Sequence, residues 1–373
     1  MAKVPAGLLR PALAGITPYE PGKPVEEVQR ELGLERVVKL ASNEGPFGPF
    51  PRALEALERC AGELNRYPDG GSYRLRAALA ERHGVRFEEI AIGSGADGLI
   101  DGISQAVLNE GDEVVCGWPS FPSYAIYARK LNAEPVQVPL RNDRYDLEAL
   151  VAAVTDRTKL VYVCDPNNPT GTMSSRAELD AYFERVPDHV VTVLDQAYFE
   201  YVDEPDYTDG IAEYFKTGRQ VFVLRTFSKI YGLAGARVGY GVGPAELVTA
   251  LGKTRRAFDL ATPAQVAALA SVDSPGEVER RRRANAEGRA DLVRILTDAG
   301  YRVATAPVGN FVFVDLGEDA QPWFDALLRE GVIVRPLAGF GAPNAIRITV
   351  GTPEDHAFFA EALARVRTAA AAS

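Results

Sequence analysis

The sequence predicts an α/β fold: a large domain with a mostly parallel sheet covered by helices, and a smaller α+β C-terminal domain. Two observations support this prediction. From about residue 90, short runs of apolar and β-branched residues alternate with helix-like stretches, and after about residue 245 this alternation stops. Strands that are apolar throughout and separated by helices are typical of parallel sheets buried on both faces.

Short apolar runs define the strands of the larger sheet. The candidates are Ile90–Ile92, Glu113–Cys116, Leu160–Cys164, Val190–Leu194, Val221–Leu224 and Val238–Val242. The stretches between them have helical character, namely Asp97–Leu108, Ser120–Leu131 and Ser174–Arg185. Runs of this length, bounded by Gly, Pro and polar residues, favour buried strands over helices.

The two ends of the chain differ from its middle. The first 50 residues are rich in Pro and Gly, which indicates an extended arm. Beyond residue 245 we predict two helices, Gly276–Ala299 and Pro353–Val366, and between them the strands Asn310–Val314, Val332–Arg335 and Ala345–Val350. We therefore predict an N-terminal arm and small-domain segment (1–50), a large cofactor-binding domain (51–245) and a small C-terminal domain (246–373).

Composition excludes several classes of protein. The apolar fraction of 46% and the charged fraction of 25% are typical of a soluble globular protein. The net charge of −10 argues against a nucleic-acid surface. The basic run Arg280–Arg283 follows Glu277 and Glu279 in a predicted helix, so we expect a solvated face there. Without a signal-like or membrane-spanning stretch, we expect a cytoplasmic protein that binds neither nucleic acid nor membrane.

The cysteines and histidines offer no metal site. The three cysteines are far apart, and their spacing matches neither a disulfide framework nor a zinc motif. The three histidines are isolated from one another and from every candidate site residue. We therefore expect neither a metal ion nor a His-based catalytic triad.

Lys229 is the most informative residue of the chain. It follows the apolar run Val221–Leu224 and precedes Arg237 by eight residues. A lysine at the end of a buried strand can lie in a partly dry crevice and form a Schiff base with a carbonyl. An arginine nearby can bind a phosphate through two parallel hydrogen bonds. Pyridoxal phosphate is an aldehyde that also carries a phosphate, so it matches both groups.

Polar residues also follow three other predicted strands. Ile90–Ile92 is followed by Gly93-Ser94-Gly95-Ala96-Asp97, and Leu160–Cys164 by the loop Asp165–Gly171. Val190–Leu194 is followed by Asp195 and, shortly after, by Tyr198. Ligands of open α/β sheets bind beyond the carboxyl ends of the strands. We therefore expect these groups to share one pocket with Lys229.

Each of these groups meets a need of pyridoxal phosphate. A carboxylate such as Asp195 keeps the ring nitrogen protonated, and Asn168 and Tyr198 can donate hydrogen bonds to the ring hydroxyl. Tyr124 is a candidate to stack on the face of the ring. The phosphate needs backbone N–H groups at a helix start, hydroxyls and a cation, for which the candidates are Ala96, Asp97, Thr226, Ser228 and Arg237.

Further motifs that are consistent with a pyridoxal-phosphate enzyme occur along nearly the whole chain. They include Ser42-Asn43-Glu44-Gly45-Pro46, Arg66-Tyr67-Pro68-Asp69, Gly95-Ala96-Asp97, Asn167-Asn168-Pro169-Thr170-Gly171, the Lys229 segment running to Tyr240, Gly331–Pro336 and Pro343–Ile348. Through these motifs the chain resembles the fold-type I pyridoxal-phosphate aminotransferases. The resemblance implies pyridoxal 5′-phosphate as cofactor, bound covalently by Lys229.

The resemblance also implies further site residues and an assembly. Tyr67 matches a position that reaches the phosphate from the neighbouring subunit, which implies a homodimer with shared active sites. Arg347 matches the family's substrate-anion arginine, and the pocket would be completed by Arg335, Tyr19 and Asn43. As an alternative, either arginine could instead form a salt bridge between domains.

The C-terminal arginine motifs and Tyr19 resemble most closely those family members that act on L-histidinol phosphate. For such members the small-molecule partners are this amino donor and a 2-oxo acid, 2-oxoglutarate, in histidine biosynthesis. Two alternatives share nearly every motif: an aromatic amino-acid aminotransferase, and a threonine-phosphate decarboxylase that needs no oxo acid. A nicotinamide dehydrogenase would need a Gly-x-Gly-x-x-Gly turn after an early strand, and none is present.

Four positions depart from the family's usual pattern. Gly98, Gln196, Gly45 and Asp259 stand where Glu, Glu, Asn and Asn are common. None of these changes removes a group assigned above. We expect Gln196 and Asp259 to alter the substrate pocket more than the reaction.

Overall fold

The computed structural model describes residue 5, residues 7–19 and residues 21–372. Residues 1–4, 6 and 20 of the predicted arm, and residue 373 of the predicted C-terminal domain, lie outside this part. The strands are β1 (Val38–Lys39), β2 (Ile90–Gly93), β3 (Glu113–Trp118), β4 (Glu134–Pro139), β5 (Thr158–Cys164), β6 (Val191–Asp195), β7 (Val221–Thr226), β8 (Gly239–Val242), β9 (Arg302–Val303), β10 (Phe311–Asp315), β11 (Val332–Ile333), β12 (Arg335–Leu337) and β13 (Ala342–Thr349).

The helices of the described part surround these strands. They are α1 (Val25–Leu32), α2 (Pro51–Cys60), α3 (Tyr73–His83), α4 (Gly95–Val107), α5 (Ser123–Lys130), α6 (Leu147–Ala152), α7 (Arg176–Arg185), α8 (Ala245–Thr254), α9 (Thr262–Val272), α10 (Pro275–Asp298), α11 (Ala320–Arg329) and α12 (Pro353–Ala372). No helix in the described part combines the length and the apolar character needed to cross a membrane.

A seven-stranded sheet in the order β2-β8-β7-β6-β5-β3-β4 forms the centre of the larger unit. All neighbouring strands are parallel except β8, which is antiparallel to both β2 and β7. The predicted mostly parallel sheet is thus confirmed. Strand β4 was not predicted because it contains Pro135 and Pro139. It lies at the edge of the sheet, where a proline does not interrupt a ladder on both sides.

A second, four-stranded sheet is antiparallel and has the order β12-β13-β10-β9. The predicted strand Val332–Arg335 is divided in the structure. Val332 and Ile333 pair with β1 near the N-terminus, whereas Arg335 pairs with Arg347 of β13. The chain therefore leaves its pairing with β1 at Val334 and pairs with β13 from Arg335 onwards. An apolar run alone does not predict which strand each part pairs with.

The N-terminal segment is less extended than expected. It contains α1, which ends at Gly33 in the left-handed conformation. Val28 of α1 packs against Ala41 and Ile333 in a small separate cluster. The pairing of β1 with β11 attaches this segment to the smaller unit.

The buried apolar residues of the chain form two main clusters, one in each unit. The main cluster surrounds the seven-stranded sheet, and it includes Val248 and Leu251 of α8 and Ala267 of α9. A second cluster lies between the four-stranded sheet and the helices α10, α11 and α12. The predicted domain bounds stay a prediction, but these contacts favour a later start for the C-terminal domain. We propose that it begins at α10 rather than at residue 246.

The basic run Arg280–Arg283 in α10 is not simply a solvated face. Arg281 is 5% exposed, and Arg282 donates a hydrogen bond from Nε to the carbonyl of Glu200. Only Arg280 and Arg283 of this run keep mostly exposed side chains. The prediction was wrong for Arg281 because the periodicity of a helix places one residue of any four-residue run towards its packed side.

Candidate active site

One cavity lies at the carboxyl ends of β5, β6 and β7 and at the start of α4. It is lined by Tyr19, Ser42, Asn43, Ala96, Asp97, Phe121, Cys164, Asn168, Asp195, Ala197, Tyr198, Thr226, Ser228, Lys229, Arg237 and Arg347. Most of the site residues predicted from sequence are in this set. The exceptions are Tyr67, Tyr124 and Arg335.

Lys229 lies three residues beyond the end of β7. Burial, together with the nearby cations Arg347 and Arg237, lowers the pKa of its amine to about 8. The amine lies 5.4 Å from the centre of the Tyr198 ring. An amine with this pKa is partly neutral near pH 7 to 8, and a neutral amine can attack a carbonyl or accept a proton.

Asp195 is the last residue of β6 and is 4% exposed. Its carboxylate accepts a hydrogen bond from the Tyr124 hydroxyl (2.7 Å) and another from the Ala197 backbone N–H (3.1 Å). Burial raises the pKa of Asp195, whereas these two hydrogen bonds act in the opposite direction. The carboxylate can therefore hold a proton on a cationic group placed in the cavity.

The structure corrects the role expected for Tyr124. Its ring is fully buried and stacks on Tyr162, with ring centres 4.3 Å apart. The ring face is therefore not available to a ligand, and the hydroxyl supports Asp195 instead. Phe121, three residues earlier, lines the cavity, and its edge contacts Tyr124. Phe121 was not predicted from the sequence, because both aromatics lie in one short motif and only packing distinguishes them.

The start of α4 forms a cradle for an anion together with Arg237. Gly95 adopts a φ of +74°, and a Cβ there would lie 2.6 Å from a terminal nitrogen of Arg237. The guanidinium therefore lies directly against the first turn of the helix. Arg237 also contacts the hydroxyl of Ser228, whose backbone N–H bonds to the Thr226 hydroxyl. Free N–H groups, hydroxyls and a cation around one space suit a phosphate.

Asn43 joins the two units across the cavity. Its side-chain amide donates to the Tyr198 hydroxyl (2.8 Å), and its backbone N–H donates to the Thr349 hydroxyl (2.9 Å). The side chain of Asn310 donates to the Asn43 carbonyl. Asn43 adopts a φ of +55°, a conformation that asparagine tolerates better than most residues. These contacts fix the direction of the Tyr198 hydroxyl.

Arg347 is a buried cation without an acidic partner among the described residues. It is 3% exposed, and it donates to the Asn168 side-chain carbonyl and to the Ala41 backbone carbonyl. Its Nε is buried and has no hydrogen-bond partner. Burial lowers the pKa of Arg347 to about 10. A buried cation left without a carboxylate has capacity to bind the anionic group of a ligand.

Arg335 lies beside Arg347 but outside the cavity lining. Its guanidinium packs against the rings of Tyr19 (5.1 Å) and Phe340 (5.4 Å). It lines an adjoining pocket beneath residues 15–19, together with Tyr19. In the described part of the chain neither Arg335 nor Arg347 forms a salt bridge, so those residues provide no support for the interdomain alternative.

Tyr67 lies away from the cavity of its own chain. It is 81% exposed, and its ring stacks on Phe258, which is also exposed, with ring centres 4.4 Å apart. Such a large exposed aromatic pair is typical of a surface that contacts another protein. Its expected contribution to a neighbouring subunit's site stays a prediction.

The departures from the family pattern lie outside the cavity lining. The amide of Gln196 is buried, where it bonds to the Thr208 carbonyl, to the Gly210 N–H and to Arg225. Asp259 pairs with Arg256 at 2.7 Å. The expectation that these two residues alter the substrate pocket is therefore not supported by their positions in this chain.

The residues around the cavity fit pyridoxal 5′-phosphate. Arg237, which lies against Gly95 at the start of α4, lines the same cavity as the Lys229 amine and the Asp195 carboxylate. A planar ring could therefore lie between a phosphate site and a carboxylate, with its aldehyde near an amine. Arg347 lines the same cavity and has no acidic partner among the described residues, so it can bind a second, substrate-borne anion.

This combination of fold and site defines a class. The model of the family "aminotransferase class I and II" matches residues 35–363 of the chain. The chain belongs to this family, as the motifs predicted, and it is therefore an aminotransferase.

Two similar proteins carry a more specific name than the family. The chain is 44% identical over 358 residues to a histidinol-phosphate aminotransferase of Moorella thermoacetica, covering 96% of this chain and 92% of that protein. It is 42% identical to histidinol-phosphate aminotransferase 2 of Pseudomonas fluorescens, with 96% and 97% covered.

Solved structures agree with the fold. Histidinol-phosphate aminotransferase from Sinorhizobium meliloti, in complex with pyridoxal-5′-phosphate, superposes with a TM-score of 0.87 at 30% identity, covering 97% of this chain and 98% of the other. A Thermus thermophilus aspartate aminotransferase double mutant superposes with a TM-score of 0.85 at 26% identity, with 96% and 99% covered.

Proposed function

We propose that this chain is a pyridoxal 5′-phosphate-dependent aminotransferase that transfers the amino group of L-histidinol phosphate to 2-oxoglutarate in histidine biosynthesis. The observation that carries the substrate assignment is the buried guanidinium of Arg347, which lines the cavity with Lys229 and has no acidic partner in the described chain. Both proposed substrates bear an anion that this group can bind, a phosphate in one and a carboxylate in the other. The named relatives support the same substrate.

We assign the residues of the cofactor site from the lining of the cavity. The first turn of α4 at Ala96 and Asp97, with Arg237 and the hydroxyls of Ser228 and Thr226, would hold the phosphate. Asp195 would hold a proton on the ring nitrogen. Phe121 would cover the ring, and Asn168 and Tyr198 would donate hydrogen bonds to the ring hydroxyl.

When bound, the cofactor supplies an aldehyde that captures an amine and a ring that accepts an electron pair. Lys229 provides the proton transfer. Its Nζ, with a pKa lowered to about 8 by burial and neighbouring cations, would accept the proton from the substrate α-carbon and then donate it to the carbonyl carbon that the cofactor supplies. Arg347 holds the substrate anion during both half-reactions.

Two arginines define the substrate end of the site. Arg347 is placed directly in the cavity, and Arg335 lies next to it in β12, opposite in register. Tyr19 stacks on Arg335 and borders both the cavity and the adjoining pocket. We assign Arg335 and Tyr19 to the outer part of the substrate pocket, and Asn43 to its wall.

We further propose a cytoplasmic homodimer with shared sites. The exposed pair of Tyr67 and Phe258 supports an interface on that face. In the dimer Tyr67 contacts the phosphate bound in the partner subunit.

A single-turnover titration tests this function. The cofactor-loaded protein is mixed with one amino donor and no oxo acid, and the visible absorbance band of the bound cofactor is followed. We expect rapid loss of the band with L-histidinol phosphate, because Arg347 would bind its phosphate and so place its amino group where it can displace the Lys229 amine from the cofactor.

Other outcomes are equally informative. Equal or faster loss with phenylalanine would assign the enzyme to the aromatic aminotransferases. Release of carbon dioxide from threonine phosphate would make it a decarboxylase. A protein with no such band would contradict the cofactor assignment, and turnover by Lys229→Ala would contradict the role of the lysine.

A further inference from the structure

Arg281 of α10 connects three separate segments of the chain. One terminal nitrogen donates to the carbonyl of Ile230 at 3.0 Å, and the other donates to the carbonyl of Gly48 at 2.7 Å. The side chain is 5% exposed. Burial of a guanidinium costs free energy unless its hydrogen bonds are well formed, so these two bonds account for its position.

The two carbonyls belong to segments that border the active site. Ile230 directly follows Lys229, and Gly48 lies on the segment that continues from Asn43. The segments touch each other closely, since a Cβ at Gly232 would lie 2.4 Å from the Gly48 carbonyl oxygen. Arg281 therefore holds the chain after Lys229 against the chain after Asn43.

Neighbouring aromatic rings fix the guanidinium in this orientation. Its central carbon lies 4.4 Å from the centre of the Phe50 ring and 5.4 Å from that of Phe47. Glu277, one turn earlier in α10, forms a salt bridge with Nε at 3.7 Å. A planar guanidinium held between rings reaches two carbonyls at once, which a lysine ammonium cannot do with the same geometry.

A cavity of about 400 Å³, which shares no lining residue with the cofactor site, lies behind the Lys229 turn. Arg281 and Ile230 line it, as do Gly45 and Asn285. The Arg281 guanidinium therefore borders open space where it meets the turn. Its two hydrogen bonds add to the contacts that hold the turn in place.

We propose that Arg281 is a positioning residue for Lys229, fixing the main chain on which the reactive amine is carried and so the place of that amine in the active site. This inference rests on the proposed function, in which Lys229 is the reacting amine. Arg281 itself contacts neither cofactor nor substrate. Its contribution acts through Ile230.

The first test uses the cofactor-free protein and does not depend on turnover. The rate at which an amine-acylating reagent modifies Lys229 is measured against pH by mass spectrometry of the Lys229 peptide. In Arg281→Ala we expect the midpoint of this profile to shift upward from about 8, towards the ordinary value of about 10.4, because a loosened turn admits water around the amine. The matched control is Arg283→Ala in the same helix, whose side chain is 71% exposed.

The second test uses the loaded enzyme. We expect kcat of Arg281→Ala to fall about 100-fold with a much smaller change in KM, the loss that a displacement of about 1 Å near the reacting atoms can cause. Millimolar guanidinium chloride should restore part of kcat, because the cavity behind the turn admits the free cation to the vacated place. The same salt should not increase the activity of Arg283→Ala.

Several results would overturn the inference. A midpoint in Arg281→Ala equal to that of Arg283→Ala would show that Arg281 does not position the amine. A fall in kcat that guanidinium leaves unchanged would show a general structural role. If Arg281→Ala does not fold, Arg281→Lys decides: a smaller upward shift supports the inference, and an unchanged midpoint contradicts it. Turnover by Lys229→Ala would instead contradict the proposed function and leave the labelling result valid on its own.

Discussion

Arg347 donates a hydrogen bond to the side-chain carbonyl of Asn168, which joins β13 of the smaller sheet to the loop that follows β5 of the larger one. The same guanidinium bonds to the carbonyl of Ala41. One buried cation thus touches the N-terminal segment, the cofactor-binding unit and the C-terminal unit. Its remaining nitrogen, Nε, has no partner.

Replacing this cation tests the substrate assignment. In Arg347→Lys the charge remains, but the planar arrangement of donors is lost. Hydrogen bonds to charged groups contribute roughly 1.5–3 kcal/mol each, so we expect kcat/KM for L-histidinol phosphate to fall roughly 10- to 100-fold. Steady-state kinetics measure this, with the exposed Arg329→Lys as control. Equal kcat/KM in the two variants would remove Arg347 from the substrate pocket.

The lowered pKa of Lys229 predicts how the stability of the cofactor-free protein depends on pH. Burial, Arg347 and Arg237 disfavour the charged amine in the folded state, with a pKa of about 8, against about 10.4 in the unfolded chain. Between these values the unfolded chain binds more protons, so the free energy of unfolding rises with pH. Below about pH 8 the amine is protonated in both states, so the full free-energy cost of burying its charge in the folded protein is present.

The measurement compares the cofactor-free protein with Lys229→Met by urea unfolding at pH 7 and at pH 9.5. Other groups titrate alike in both proteins. We expect the wild-type protein to gain stability relative to Lys229→Met as the pH rises. A constant difference between the two proteins would mean that the pKa of Lys229 is not lowered.

The cradle at the start of α4 depends on Gly95. In Gly95→Ala the new Cβ would lie 2.6 Å from Arg237, and the left-handed backbone costs roughly 1–2 kcal/mol for a residue with a Cβ. We expect weaker binding of pyridoxal phosphate but a smaller loss for pyridoxal, which has no phosphate. Absorbance titrations of the cofactor-free protein with each compound measure this difference.

Gly252 in α8 provides the matched control for this substitution. A Cβ at that position would meet nothing within 4 Å. Gly252→Ala should therefore leave cofactor binding unchanged and should stabilise the helix by up to about 1 kcal/mol. If both alanine variants bind pyridoxal phosphate equally well, the first turn of α4 does not hold the phosphate.

Shared sites can be tested by mixing two inactive variants. If Tyr67 acts in the partner subunit, a dimer of one Lys229→Ala subunit and one Tyr67→Ala subunit has one site that lacks both residues. The other site then has both residues intact. We expect activity to return when the two proteins are unfolded and refolded together, and not when each is refolded alone. No recovery in the mixture, despite dimers by size-exclusion chromatography, would place Tyr67 outside the partner's site.

The sheet could be predicted from sequence because its strands are buried on both faces. A run such as Val221–Leu224 must be apolar throughout, and the helices between such runs follow from the same pattern. Polar residues that follow such strands meet at one edge of a parallel sheet, which is why Lys229, Asp195 and Asn168 could be assigned to one cavity.

Two neighbouring aromatic residues show where sequence was insufficient. Phe121 and Tyr124 occur in one motif, and either could have covered a ligand. Only the packing of Tyr124 on Tyr162, with its hydroxyl on Asp195, leaves Phe121 as the residue that faces the cavity. Phe121 lies just before α5 and Tyr124 lies in its first turn, and the direction of each side chain depends on its neighbours in the fold, which a linear motif does not specify.

The class of fold, the family and the chemistry at the strand ends could be predicted from local patterns of apolar and polar residues. The long-range contacts of each cation could not, because they depend on how the helices and sheets pack. Arg281 and Arg283 lie two residues apart in one basic run, yet one is buried between Gly48 and Ile230 and the other is exposed. The partners of Arg281 are distant in the chain, and contacts between distant segments are set by how helices and sheets pack, not by local sequence.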